Sequence, residues 1–135
     1  MEQEPKLSVT EQILNTAQFI EKEGRNPEYV LKFGGKKLTV MLIKGGTETM
    51  TFIENTSDVL ETGATTELYK AANIIMQRIA DEQQKTFLYI DRTKDDRMRE
   101  WFQSKGNEIF GWDSMDVDPT PQVDSIFTKQ FSPKM

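Results

Sequence analysis

The alternation of apolar and polar residues changes period several times along the chain, and each change predicts an element. Ser8-Val9-Thr10-Glu11 fits a capping box, in which the Ser hydroxyl and the Glu carboxylate satisfy backbone donors at a helix start. Ile13, Leu14, Ala17 and Ile20 follow at helical spacing, so a helix is predicted from Ser8 to about Glu23, ended by Gly24, Asn26 and Pro27. From Glu28 the period falls to two. Residues 29–33, 37–43 and 49–53 are rich in β-branched and large apolar residues, and Gly34-Gly35-Lys36 and Gly45-Gly46-Thr47-Glu48 separate them, which predicts a three-stranded antiparallel meander.

Helical spacing returns after Gly63. Leu68, Ala72, Ile75 and Ile79 form a stripe that Ala71, Ile74 and Met76 widen into a face broad enough to cover a sheet. Thr86-Phe87-Leu88-Tyr89-Ile90 is too short for a helix and apolar enough for an interior strand. Beyond Asp91 the pattern is helical again. Met98, Trp101 and Phe102 share the side expected to face the core, while Asp95, Asp96, Arg97, Arg99 and Glu100 lie mostly opposite. Gly106, following Lys105, reads as the left-handed stop, and residues 109–112 and 126–131 read as two further strands joined by a polar loop.

The expected fold class is therefore α/β in the broad, α+β sense. Its order is α-β-β-β-α-β-α-β-β, with residues 1–7 loose and 8–132 a single domain. The strand at 87–90 lies between two helices and so requires crossover connections, which predicts one mixed sheet with Leu88 central and helices packed on both faces.

Composition narrows the chemistry. Among 135 residues there is no cysteine and no histidine, which removes imidazole bases, thiolate nucleophiles and the usual zinc sites. A formal charge of −5, from 17 basic and 22 acidic side chains, argues against a nucleic-acid or anionic-membrane partner. With no apolar run of membrane length and no signal pattern at Met1, the expected location is the cytoplasm. Asp113, Asp116, Asp118 and Asp124 lack the alternating ligands, central Gly and terminal Glu of a calcium loop, so no metal site is assigned. The glycine pairs in the meander have neither Walker spacing nor a following helix. They are hairpin turns rather than phosphate loops.

One connection could hold an anion. Residues 54–66, Glu-Asn-Thr-Ser-Asp-Val-Leu-Glu-Thr-Gly-Ala-Thr-Thr, lead from the third strand into the central helix, where backbone N–H groups converge. Thr65 or Thr66 acting as a plain helix cap is the alternative.

In this order of elements, and most concretely from Gly63 to Gly106, the chain resembles the GNAT superfamily of acyl-CoA-dependent N-acyltransferases. The stretch GATTELYKAANIIMQRIA is similar to that family's cofactor-loop helix, TFLYI to its next strand, and MREWFQSKGNEIF to the helix and strand that close the cofactor cleft. The resemblance implies acetyl-CoA or another acyl-CoA as cofactor, held by Gly63, Ala64, Thr65, Thr66 and Asp96. It implies transfer to the amine of a small molecule or peptide, with Glu54 as the carboxylate that takes the amine's proton. Four positions depart from the family pattern: Leu60 replaces a charged or amide residue, Thr65 a small one, Asp96 an asparagine, and Phe102 the tyrosine that would protonate the leaving thiolate. Tyr69 and Tyr89 carry the neighbouring hydroxyls, and both read as core residues. Two alternatives stay open: a non-catalytic binding or assembly module of the same architecture, with Met41, Phe52 or Trp112 as contact residues, and an unrelated α+β domain. The oligomeric state leaves no trace in the sequence.

Overall fold

The computed structural model describes residues 8–54 and 63–134. The expectation of a loose segment at 1–7 and most of the connection 54–66, including Leu60, lie outside the described residues. The chain is α+β, with two antiparallel sheets, four α-helices and a π-helical segment among the described residues. Helix α1 (Val9–Thr16) leads into β1 (Gln18–Ile20), β2 (Glu28–Phe33), β3 (Lys36–Leu42) and β4 (Thr49–Glu54). Next come α2 (Ala64–Gln83), β5 (Phe87–Thr93) and α3 (Asp96–Trp101). A π-helical segment (Phe102–Gly106) joins α3 to α4 (Asn107–Phe110), and β6 (Ser114–Asp116) and β7 (Ser125–Phe131) complete the chain.

The Ser8 half of the capping box forms, with Ser8 Oγ accepting from the Glu11 N–H at 3.1 Å. The helix it opens stops at Thr16, earlier than the sequence suggests. Ala17 is extended, and Gln18–Ile20 pairs antiparallel with β2, where Phe19 lies against Tyr29 with ring centroids 4.8 Å apart. Those ladder bonds and the ring contact outweigh the helical spacing of Ala17 and Ile20, and Thr16 Oγ1 already turns back onto the carbonyls of Gln12 and Ile13.

The second departure concerns Gly106. Its φ is −58°, an ordinary helical value, and the helix continues to Phe110 before Gly111 turns left-handed at φ 62°. A Cβ on Gly106 would stand 3.3 Å from the rings of both Trp101 and Phe102. Gly106 is present for close approach rather than for termination. The π-helical turn puts an extra residue into the helix, so that Trp101, Phe102 and Phe110 all reach the core. The Phe102 carbonyl also accepts from Trp112 Nε1 at 2.9 Å, which ties the helix to the segment beyond Gly111. The strand predicted at 109–112 is thus a helix end, and the strand lies at Ser114–Asp116 instead.

The third departure concerns the sheet. Rather than one mixed sheet there are two, in the orders β1-β2-β3-β4 and β5-β7-β6. A single parallel bridge links them, Glu48 to Leu88, where the Leu88 N–H donates to Thr47 O at 2.8 Å. Just beyond it the Thr49 side chain, 1% exposed, stands between the strands. Its Oγ1 accepts from the Ile90 N–H at 3.1 Å and donates to Leu88 O at 3.4 Å. The threonine takes up the backbone groups that would have extended the ladder, and β4 and β5 part from there on.

The helices do not divide between two faces. Asp91 is paired with Phe127 and Phe87 with Phe131, so these residues share one face of β5 and β7. Tyr69 of α2 reaches Asp91 on that face, and Phe102 reaches Phe127 there at 5.1 Å. Tyr69 also touches Trp101 and Phe110, so α2 and the α3–α4 helix lie side by side. The predicted stripe of α2 is buried as expected: Leu68, Ala72, Ile75 and Ile79 pack into one core with Leu31, Leu38 and Val40 of β2 and β3.

Candidate functional site

On β5 the residues turned toward the helices are Phe87, Tyr89 and Asp91. The first two are what an interior strand requires. Asp91 is not: it is 2% exposed, and among the described residues no cation pairs with it. Its partners are hydroxyls. Tyr69 Oη donates to Asp91 Oδ1 at 3.4 Å, a long bond, while Oδ2 has no hydrogen-bond partner among the described residues. The Tyr89 hydroxyl and Thr51 Oγ1 are likewise buried and unpaired there. These groups lie near enough to perturb one another's ionisation but are not aligned for hydrogen bonds.

Burial without a counter-charge pushes the Asp91 carboxyl up to about 7, against the smaller opposing effects of the Tyr89 and Tyr69 hydroxyls. The same burial, reinforced by the nearby carboxylate, holds both tyrosine hydroxyls well above their ordinary range. Both tyrosines therefore stay protonated at neutral pH, while Asp91 exchanges a proton there. A carboxyl poised near neutrality is suited to general acid–base work.

Thr51, Tyr69 and Asp91 of this cluster line a cavity of about 410 Å³ in the space that opens where β4 and β5 part, and the Tyr89 hydroxyl stands beside Asp91 and Thr51 without lining it. Thr51 and Ile53 line it from β4, Asp91 from β5, Tyr69 from α2, and Met98 and Phe102 from the helix that follows β5. Arg92, Lys94, Asp95 and Asp124 stand toward its mouth. Asp95 is also the α3 cap, accepting from the Met98 N–H at 2.9 Å.

The residues singled out in the sequence fall elsewhere. Glu54 ends β4 opposite Lys37 and forms an exposed ion pair with it at 3.1 Å; it follows Ile53 and so faces away from the cavity. Gly63 precedes α2 with φ 74°, a left-handed conformation that any residue with a Cβ would strain. Ala64 and Thr65 are buried, and Thr65 Oγ1 has no hydrogen-bond partner among the described residues. Gly63 and Thr66 line a larger groove of about 840 Å³ between α1 and α2, together with Glu67, Lys70 and Lys105. In that groove Glu67 accepts from Thr10 Oγ1 at 3.0 Å and pairs with Lys70 at 3.7 Å. Asp96 is exposed and pairs with Arg99 at 2.7 Å. The structure thus brings Gly63 and Thr66 together and leaves Glu54 and Asp96 apart from them. Of the contact residues weighed for a binding module, Phe52 is exposed, Met41 half-buried and Trp112 buried.

Asp91 and Thr51 escaped the sequence reading. The signal was there for Asp91: in TFLYID, a single carboxylate continues the inward alternation of Phe87 and Tyr89. Nothing comparable marks Thr51, because its role depends on how β4 and β5 meet. Among the described residues no helix is long and apolar enough to cross a membrane. No family model matches the chain, and neither a curated protein nor a solved structure matches it.

Proposed function

We propose that the chain is an acyl-CoA-dependent N-acyltransferase-like protein, in which the cleft between β4 and β5 holds the amine and the thioester. The observation that carries this reading is the pair of buried, unpaired oxygens on Thr51 and Asp91, which line that cleft, with the unpaired Tyr89 hydroxyl beside them. Unsatisfied buried polar groups cost about 1–3 kcal/mol each, and a site that binds a polar ligand is one reason to retain them. The parting of two parallel strands at a cleft that Tyr69 of α2 also lines fits the resemblance to the GNAT superfamily drawn from residues 63–106. It also provides room for an extended thioester arm between the strands.

In this reading the acceptor's ammonium first loses one proton through the carboxylate to water, and the neutral amine nitrogen then attacks the thioester carbonyl carbon and passes a second proton to the same carboxylate as the N–C bond forms. The tetrahedral intermediate then collapses, the C–S bond breaks, and the thiolate leaves and takes a proton from water. The resemblance implies Glu54 as the proton acceptor, but Glu54 pairs with Lys37 on the other face of β4. Asp91 is the carboxylate in the cleft and takes over that role. The start of α2, with Gly63, Ala64, Thr65 and Thr66, holds the cofactor's pyrophosphate through backbone donors. Phe102, which lines the cleft, has no proton to give. Positioning of the two substrates therefore carries much of the rate.

Titration with acetyl-CoA and with free CoA, followed by amide NMR, tests this. Shifts are expected at Gly63–Thr66 and at the walls of the cleft. With Glu67 nearby and no basic residue at 63–66, affinity is expected at tens of micromolar or poorer, short of the roughly 8 kcal/mol of a micromolar site. Thr66→Glu should weaken binding at least about tenfold, by placing a like charge against the phosphates. Absence of any response to millimolar ligand would remove the reading.

A second reading, a non-catalytic binding module, draws on one observation. Met50 and Phe52, two residues apart on the outward face of β4, are 38% and 47% exposed. In that case a protein partner covers this face, and neither CoA nor acetyl-CoA binds.

A further inference from the structure

We infer that the β4/β5 cleft is a receptor for a primary ammonium group, with Asp91 Oδ2 as its anionic anchor and the Thr51 and Tyr89 hydroxyl oxygens as further acceptors. The acceptor class of the proposed transfer is then a small primary amine with an apolar body. This assignment of the amine rests on the acyl-transfer reading, whereas the ammonium site itself does not.

The charge of the site sets the sign of the ligand. Asp91 is the carboxylate on the inner wall, and no described basic residue lies within ion-pair distance of it. Arg92 alternates to the opposite face of β5, and both it and Lys94 are exposed at the mouth, where Asp95 and Asp124 stand with them. An anionic ligand would meet the Asp91 charge in a poorly screened interior. A cation supplies the missing counter-charge.

The number and kind of acceptors set the type of cation. Asp91 Oδ2 and Thr51 Oγ1 are unpaired on residues of the cleft wall and the Tyr89 hydroxyl is unpaired beside them, and a primary ammonium carries three N–H donors. A quaternary ammonium has none, and would leave the same oxygens unsatisfied. A hard metal ion takes six or more oxygen ligands, usually with several carboxylates among them, and no metal-holding group of three or more such side chains occurs among the described residues. Ile53, Met98 and Phe102 form apolar wall beside the oxygens, so the rest of the ligand is hydrocarbon. About 410 Å³ lies toward the small end of ligand cavities and fits a compact amine rather than a folded peptide chain.

The test uses butylamine, with butanol as its uncharged counterpart and tetramethylammonium as a cation without donors. Each is titrated into the full chain above the Asp91 midpoint of about 7, with and without saturating CoA. Detection is by the Asp91 carboxyl carbon and the Tyr89 ring in NMR. Butylamine is expected to shift both signals with millimolar affinity, and the two controls to leave them unmoved. Asp91→Asn should weaken butylamine binding at least tenfold, and Thr51→Val severalfold, with the amide spectrum otherwise retained. Equal response to butanol, or full butylamine affinity in Asp91→Asn, overturns the proposal. Should Asp91→Asn fail to fold, absence of any butylamine shift in the parent chain overturns it equally. CoA binding without an amine response leaves the acyltransferase reading standing and removes this one. An Asp91-dependent amine response without CoA binding does the reverse.

Discussion

The Ile90 N–H donates to Thr49 Oγ1 at 3.1 Å, so that a side chain of β4 takes the place of a backbone carbonyl in binding β5. This contact ends the strand pairing begun at Glu48 and Leu88, and the cleft starts beyond it. Thr49→Val, nearly isosteric, leaves a buried N–H without an acceptor and should destabilise the chain by about 1–3 kcal/mol. Urea unfolding checks this, and a midpoint unchanged from the parent would show that the hydroxyl is dispensable.

Asp91 should make stability depend on pH in the direction opposite to most carboxylates. Unfolded, the group titrates at its ordinary 3.8; folded, burial raises it to about 7. Above 7 the carboxyl is ionised in both states and folding bears the full cost of an unpaired buried charge. Between 7 and 3.8 the folded chain takes up the proton and the cost falls away, so this contribution improves as pH drops. The displacement corresponds to on the order of 4 kcal/mol, and Asp91→Asn should remove that slope and stabilise the chain above pH 7. Unfolding free energies of parent and variant across this range measure it.

The aromatic cluster should be sensitive to changes in either direction of volume. Trp101 is buried and lies 5.1 Å from Tyr69 and 5.5 Å from Phe102, centroid to centroid. Trp101→Ala should cost about 3–5 kcal/mol. Gly106→Ala, which adds a methyl 3.3 Å from two rings, should cost about 1–3 kcal/mol even though alanine favours helices. Thermal melts of both variants test whether close packing, rather than helix propensity, governs this position.

The elements most readable in the sequence were those whose periodicity and packing agree. The stripe Leu68, Ala72, Ile75, Ile79 and the strands flanking Gly34-Gly35 appear where their spacing places them. Misreadings arose where a tertiary contact outweighs a local signal. Gln18–Ile20 became a strand because β2 offers an edge and Tyr29 a ring, and Gly106 lost its role as a stop because Trp101 and Phe102 need its missing side chain. The single sheet divided because Thr49 occupies the seam, which no residue pattern announces. The site was illegible for a related reason. Asp91, Tyr69 and Thr51 come from separate elements, and only their convergence turns a strand-end carboxylate into a buried one.

Acyl transfer in the β4/β5 cleft can be followed as thiol release from acetyl-CoA in the presence of primary amines from methylamine to hexylamine. The chain has no cysteine, so a thiol reagent reads only the CoA produced. Protein-dependent thiol release is expected, matched by N-acetylated amine in the mass spectrum, highest for amines that fill the cleft and reduced at least tenfold in Asp91→Asn. Thiol release no faster than without protein for every amine, or an unchanged rate in Asp91→Asn, would contradict acyl transfer in that cleft.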